Sequence, residues 1–271
     1  MRIAQPSTVL AFLPLYIAIE NSEHEVLTFG DPKAAIEAVV KKQADLAIGD
    51  PFIFDYLNYE ENKVIIVAGL IRKITFTLIT FNPFIQEATK KTFSGKIIVS
   101  YPEPSTTFFL ARKLKDEYKF AAIIETPFNT ELRPLLTQEA DLAIVIEPNT
   151  TYAIRNGARK LLDFFDTIAV LTGFSTTKNF AIKKQKELKE LFAKVKYGVQ
   201  KFYSDENLTL LIAKKYFPMV EESVLREAIA NLRKSQVYCP DLQFTDEEIK
   251  AGLELRRINL PLKKVKEFIR Y

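Results

Sequence analysis

The chain carries the same short pattern twice. Gln43-Ala44-Asp45-Leu46-Ala47-Ile48 runs into Gly49-Asp50-Pro51, and Glu139-Ala140-Asp141-Leu142-Ala143-Ile144 is followed by Glu147-Pro148. Each copy is preceded, at a similar distance, by a Pro-Ser-Thr element: Pro6-Ser7-Thr8 in the first, Pro104-Ser105-Thr106 in the second. A repeat on the order of a hundred residues is too long for a solenoid unit and matches a small α/β lobe. Two similar lobes are therefore expected, each with a buried strand that leads to an acidic residue before proline.

The residues between the repeated elements fit that expectation. Arg2–Ala4, Glu25–Phe29, Leu46–Ile48 and Val64–Ala68 read as short strands. Pro32–Lys42 reads as a helix with Ala35, Ile36, Val39 and Val40 on its apolar face, and Asp31 before Pro32 supplies a cap followed by proline at the first turn. Gly95–Ser100, Ala121–Glu125 and Leu142–Ile146 repeat the strand order, with helices after Pro104 and around Leu132, Leu135 and Leu136. This alternation predicts mostly parallel sheets. Phe76–Phe81 and Phe174–Ile182 are apolar, extended segments that suit two crossings between lobes, giving lobe one as residues 1–75, lobe two as 76–173, and a return to lobe one with C-terminal helices over 174–271. Those helices are expected over Leu188–Phe202, Leu208–Tyr216, Glu221–Leu232, Thr245–Arg257 and Leu262–Ile269.

Composition narrows the function classes. The net charge is only +4 and the basic excess lies among the C-terminal helices, mixed with an apolar stripe as on a solvated helix face. No clustered arginines interleave with aromatics, so nucleic acid is not an expected partner. No apolar run is long enough to cross a bilayer, so no direct membrane insertion is expected. The single Cys239 excludes an internal disulfide, and one histidine, His24 in a polar turn, leaves little material for a metal site. No cofactor is implied. Met1 leads almost at once into a strand without a basic leader and cleavage site, so the chain as written reads as cytoplasmic, or as extracytoplasmic if it is a mature form that has lost its signal.

Gln43–Asp50 and Ser94-Gly95-Lys96-Ile97-Ile98-Val99, with the Ser/Thr loop after the first strand, resemble the periplasmic-binding-protein-like fold of type II. The likeness is greatest to the nitrate/sulfonate/thiamine-precursor group of solute-binding proteins, and spans about residues 1–205, with a family-like helical tail beyond. Gln43 stands where that group has glycine. The resemblance implies an α/β protein of two similar lobes with a ligand cleft between them, two inter-lobe crossings and a C-terminal helical region packed on lobe one. It also implies a binding protein, not an enzyme, that closes on a small polar ligand, with anionic and heteroaromatic molecules both open, and an ABC-type membrane permease as partner.

In open α/β sheets ligands bind beyond the carboxyl ends of the strands. Pro6–Phe12, Asp50–Phe54, Tyr101–Thr107 and Glu147–Tyr152 follow predicted strands at that edge. Ser7 and Thr8 offer hydroxyls. Ser105, Thr106 and Thr107 can open a helix whose free N–H groups suit an anionic oxygen. The alternative is that both Ser/Thr pairs only cap helices. Asp50 and Glu147 suit an amine, a ring nitrogen or hydroxyl donors; Arg72 and Lys73 are candidates to neutralise them. Alternatively Asp50 caps the next helix and Glu147 faces solvent. Phe12, Phe52 and Tyr152 are candidate flat walls, or core residues. Two rival functions stand beside transport: a cytoplasmic enzyme resembling the two-lobe enzymes of the futalosine route to menaquinone, with Asp50 or Glu147 as acid or base, and a cytoplasmic ligand sensor.

Overall fold

The computed structural model describes residues 1–53 and 64–270. The chain folds as two compact units, Met1–Ile74 with Ile168–Tyr271, and Thr75–Thr167. Each is built on a five-stranded mixed sheet, ordered β2-β1-β3-β10-β4 in the first unit and β7-β6-β8-β5-β9 in the second.

In the first unit β1 (Arg2–Gln5) lies parallel to β2 (Glu25–Thr28) and β3 (Leu46–Gly49), and β10 (Ile168–Thr177) runs antiparallel between β3 and β4 (Val64–Lys73). In the second, β6 (Ile97–Ser100) is parallel to β7 (Ala122–Glu125) and β8 (Leu142–Ile146), and β5 (Phe76–Thr80) runs antiparallel between β8 and β9 (Arg159–Asp163). The two sheets thus repeat one order of parallel and antiparallel neighbours.

The doubled aspartate explains why the sequence repeats. Asp45 Oδ2 accepts from the Arg2 N–H at 2.8 Å, and Asp141 Oδ2 accepts from the Ile97 N–H at 3.0 Å. Each also pairs with a basic side chain at the start of that strand, Arg2 or Lys96, at 3.1 Å. The carbonyl of Asp45 accepts the Thr176 hydroxyl from β10, and that of Asp141 accepts the Thr80 hydroxyl from β5. In each unit one aspartate therefore ties three neighbouring strands together at their shared edge and fixes register, so that the apolar Leu-Ala-Ile run after it is buried.

Helices cover the sheets. Pro32–Val40 starts at Asp31, whose side chain accepts from the Ala34 N–H at 2.8 Å, and buries Ala35, Ile36, Ala38 and Val39 against Ala4 and Ala47. The C-terminal segments belong to the first unit's core: Phe52, Ile66 and Val170 pack with Cys239, Phe244, Ile249 and Leu253. They also cover the edge strand β4. The Cys239 N–H donates to Leu70, the Gly69 N–H to Leu242, and the Arg270 N–H to Ile66. An unpaired strand edge is a template for aggregation, and these segments occupy it.

Two expected boundaries shift. β10 begins at Ile168 rather than near Phe174, because Ala169-Val170-Leu171 are β-compatible and buried against β4 and β3. The extended reading of Phe174–Ile182 fails after Thr177, whose hydroxyl accepts from the Phe180 N–H at 3.2 Å and starts a helix over Lys178–Lys183. Leu13–Ile19 is a buried helix and β9 a strand, neither anticipated from the sequence.

Candidate functional site

At the strand-end edge of the first unit, Gln5, Thr28 and Gly49 close β1, β2 and β3. The Tyr16 hydroxyl donates to Gln5 Oε1 at 2.7 Å, and Gln5 Nε2 donates to the hydroxyls of Thr28 at 3.1 Å and Thr8 at 3.4 Å. Burial holds the Tyr16 phenol far above its ordinary pKa, so it stays a donor. Ser7 is buried beside this network, and the helix that follows starts with no side-chain cap, so Ser7 and Thr8 do not cap it.

Asp50 is an ion-pair partner inside the core. Its Oδ2 accepts from Arg256 Nε at 2.9 Å and Nη2 at 2.6 Å, and Oδ1 accepts from the Phe52 N–H at 2.9 Å. The expectation that Arg72 or Lys73 would neutralise the acidic pair is corrected. Arg72 reaches Glu248 at 3.7 Å and Lys73 donates to the Ser235 carbonyl, both away from Asp50. Phe52 is fully buried and forms part of the core under the Arg256 guanidinium, and Phe12 is buried in a short 3-10 turn. As flat ligand walls, Phe12 and Phe52 are therefore corrected to core residues. Phe54 lies outside the described residues.

The corresponding edge of the second unit is more polar. Tyr101 follows β6, and the loop after it closes on itself. The Tyr101 N–H donates to the Thr107 hydroxyl at 3.1 Å, the Ser105 hydroxyl donates to the Tyr101 carbonyl at 3.0 Å, and Ser105 Oγ accepts from the Phe108 N–H at 3.2 Å. Ser105 thus caps the helix Thr106–Tyr118, and Ser105, Thr106 and Thr107 are all buried. The expected solvent-facing alternative for Glu147 does not hold: it is buried, and its carboxylate accepts from the Thr151 N–H and hydroxyl at 3.0 Å each. Asp50 and Glu147, which both precede proline, therefore both brace the turn that follows them. Tyr152 is half-exposed.

Residues without a motif complete this edge. Glu131 comes from the loop after β7 and is fully buried; its Oε1 accepts from Asn149 Nδ2, after β8, at 2.8 Å. The Tyr101 hydroxyl lies beside the same carboxyl, and the Tyr101 ring stacks on Phe128 at 4.1 Å. Burial pushes the Glu131 carboxyl up, which outweighs the lowering by Asn149 and Tyr101. Glu131 thus bridges two loops across the end of β6. After β7 and β8, respectively, the hydroxyls of Thr126 and Thr150 are buried with no hydrogen-bond partner among the described residues. The Tyr101 hydroxyl is likewise without a hydrogen-bond partner among the described residues, and buried polar atoms are nearly always paired, so three such hydroxyls at one strand-end edge are unusual.

Chemically this edge presents hydroxyls, a buried carboxyl and a stacked aromatic pair. His24 sits before β2, at the opposite edge of its sheet, with Nδ1 at 3.0 Å from the Met1 ammonium. Burial pushes the Cys239 thiol up, away from thiolate chemistry. No group of three His, Cys, Asp or Glu residues suited to a metal occurs among the described residues, and no helix among them is long and apolar enough to cross a membrane.

Solved structures decide what this architecture is. The alkanesulfonate-binding protein of Xanthomonas axonopodis pv. citri, bound to MOPS, matches 99% of this chain and 97% of its own with a TM-score of 0.76 and 14% identity. The fold is that of a periplasmic binding protein. The ligand-binding component of an ABC-type import system from Staphylococcus aureus, with zinc bound, shares this fold at a TM-score of 0.77, 14% identity and coverage of 100% and 96%. So does a Candida albicans gene product described as having the generic periplasmic binding protein fold, at a TM-score of 0.74, 12% identity and coverage of 100% and 95%. No protein-family profile matches the chain, and no curated protein sequence matches it. The periplasmic-binding-protein fold expected from the doubled motif is thus present along the whole chain, at identities too low to carry a ligand over from any of these proteins.

Proposed function

We propose that this protein is a solute-binding protein that takes a small polar ligand at its strand-end loops, with Thr126, Thr150, Ser105, Thr106 and Tyr152 among the groups that the second unit offers; Ser7 and Thr8 are the corresponding hydroxyls at the first unit's own strand-end edge. The observation that carries this reading is the pair of buried hydroxyls, Thr126 and Thr150, with no protein partner among the described residues. A hydroxyl both donates and accepts, so this pair suits a ligand with oxygen or ring-nitrogen atoms, anionic or heteroaromatic. The Tyr101 and Phe128 rings add apolar surface beside it. Asp50 is bound to Arg256 in the first unit's core and is not among the proposed ligand groups.

In this role the protein works outside the cytoplasm and hands its ligand to an ABC-type permease. The folds shared with an alkanesulfonate-binding protein and with the ligand-binding component of an ABC-type import system support that assignment. The test is mass spectrometry of small molecules released from gently purified protein, followed by calorimetry with each hit. The expected result is a stoichiometric ligand returned unchanged, with affinity about tenfold weaker in Thr126→Val or Thr150→Val. A confirmed ligand indifferent to both substitutions, or one converted with turnover, overturns the reading.

A further inference from the structure

The first unit holds a second concave surface on the edge of its sheet away from the strand ends. β10 ends at Thr177 beside Val64, where β4 starts, and next to the start of β3. There the helices Lys178–Lys183 and Gln185–Ser204 lie over β4 and enclose a groove of about 420 Å³. Ile65 and Val67 project from alternate positions of β4 to one sheet face and, with Leu188 and Phe192, make an apolar floor. Ile182, 68% exposed, forms an apolar lip.

Among the described residues, every charge lining this groove is positive. Lys178, Lys189 and Arg270 stand on its rim, and none of their side chains makes an ion pair among the described residues. The acids of the same helix are already matched elsewhere: Glu187 with Lys184 at 2.8 Å and Glu190 with Lys186 at 4.0 Å. Arg270 is held in place by its backbone, which donates to the Ile66 carbonyl at 2.8 Å. An apolar floor with a few directed polar groups is the usual make-up of a small-molecule pocket, and the volume suits one tail rather than a bilayer surface.

We propose that this groove binds a free, single-tailed anionic amphiphile, its carboxylate or sulfonate between Lys178, Lys189 and Arg270 and its tail on Ile65, Val67 and Phe192. The site is separate from the strand-end loops and does not depend on what binds there.

Decanoate is the probe, with decanol and decylamine as tail-matched neutral and cationic controls, measured by calorimetry on the full chain. Decanoate is expected to bind saturably, and to bind about tenfold more weakly after the exposed double change Lys178→Gln with Lys189→Gln. Ile182→Asp, also at an exposed position, should weaken it further, whereas Thr126→Val with Thr150→Val should leave it unchanged. The proposal is overturned if decanoate does not saturate, if decylamine binds as tightly, if the threonine pair rather than the lysine pair controls binding, or if only phosphatidylglycerol vesicles are bound.

Discussion

Arg256 and Asp50, 206 residues apart, form a two-bond contact in the first unit's core, Nε and Nη2 both donating to Oδ2, with side-chain exposures of 0% and 3%. The guanidinium also donates to two backbone carbonyls, from Nη1 to Gly252 at 2.8 Å and from Nη2 to Val170 at 2.9 Å. The pair ties the last long helix to the loop after β3 and to β10.

Removing one partner should therefore be costly. Arg256→Met leaves the Asp50 charge buried, and breaking such a pair costs about 3–5 kcal/mol. Asp50→Asn in the Arg256→Met background retains the acceptor for the Phe52 N–H and removes the stranded charge, so it should recover part of the loss. Urea denaturation of the single and double variants measures both. Equal instability of the two would show that the charge is not what matters.

Gly198 predicts a packing limit. It lies on the helix Gln185–Ser204 where that helix meets Leu13–Ile19, and a Cβ there would overlap the Pro14 carbonyl oxygen. Both partners are helical backbone, so neither can yield as a side chain would. Gly198→Ala should cost about 1–3 kcal/mol through overpacking despite its better helix propensity. A thermal melt reads this directly; a raised Tm would mean that the helices can separate at no cost.

These two contacts show what the sequence could and could not convey. Asp45 and Asp141 were legible because each acts within a local strand–helix–strand unit, so the same constraint left the same letters twice. The caps at Asp31 and Ser105 were legible for the same reason, since a cap engages residues three positions away. Arg256 serves a residue on the far side of the chain, and nothing near it in sequence names Asp50. One sign was available: with Ile249, Gly252 and Leu253 it lies on the helix's buried stripe, and a cation there needs a partner. Phe12 and Phe52 read as ligand walls because residues after a strand lie near the site, but direction of the side chain, not position, decides what it touches. Glu131 had no local signature, since Asn149 lies 18 residues away, after another strand.

Asp45 and Glu131 should give opposite pH signatures. Burial raises Asp45, but the Arg2 N–H and guanidinium outweigh it and leave its pKa lowered. Its contribution is present above the unfolded value and is lost as pH falls through the folded one. Glu131 is raised, so the native state holds its proton more tightly. That contribution is full below the unfolded value of about 4.3 and is lost as pH rises through the higher folded value. Glu131→Gln should remove the second slope, so the difference in urea midpoint between variant and wild type grows in the variant's favour with rising pH. A constant difference across the range would place Glu131 among ordinary exposed carboxyls.

Thr126 and Thr150 separate stability from function. A buried hydroxyl with no partner carries a desolvation penalty of about 1–3 kcal/mol that a methyl in its place would not. Thr→Val at either position keeps the β-branch, so the ligand-free variants should be as stable as the wild type or more stable. The same substitutions should weaken ligand binding, since valine has no hydroxyl to offer the ligand. Groups kept for binding at a cost to the free protein behave this way. Thr176→Val is the contrast: its hydroxyl is spent on the Asp45 carbonyl at 2.6 Å, so the variant should lose about 1 kcal/mol and leave ligand affinity unchanged. Melting each variant with and without ligand measures both quantities at once. If Thr126→Val and Thr150→Val lose stability as Thr176→Val does, their hydroxyls have partners within the fold and the proposed site lies elsewhere.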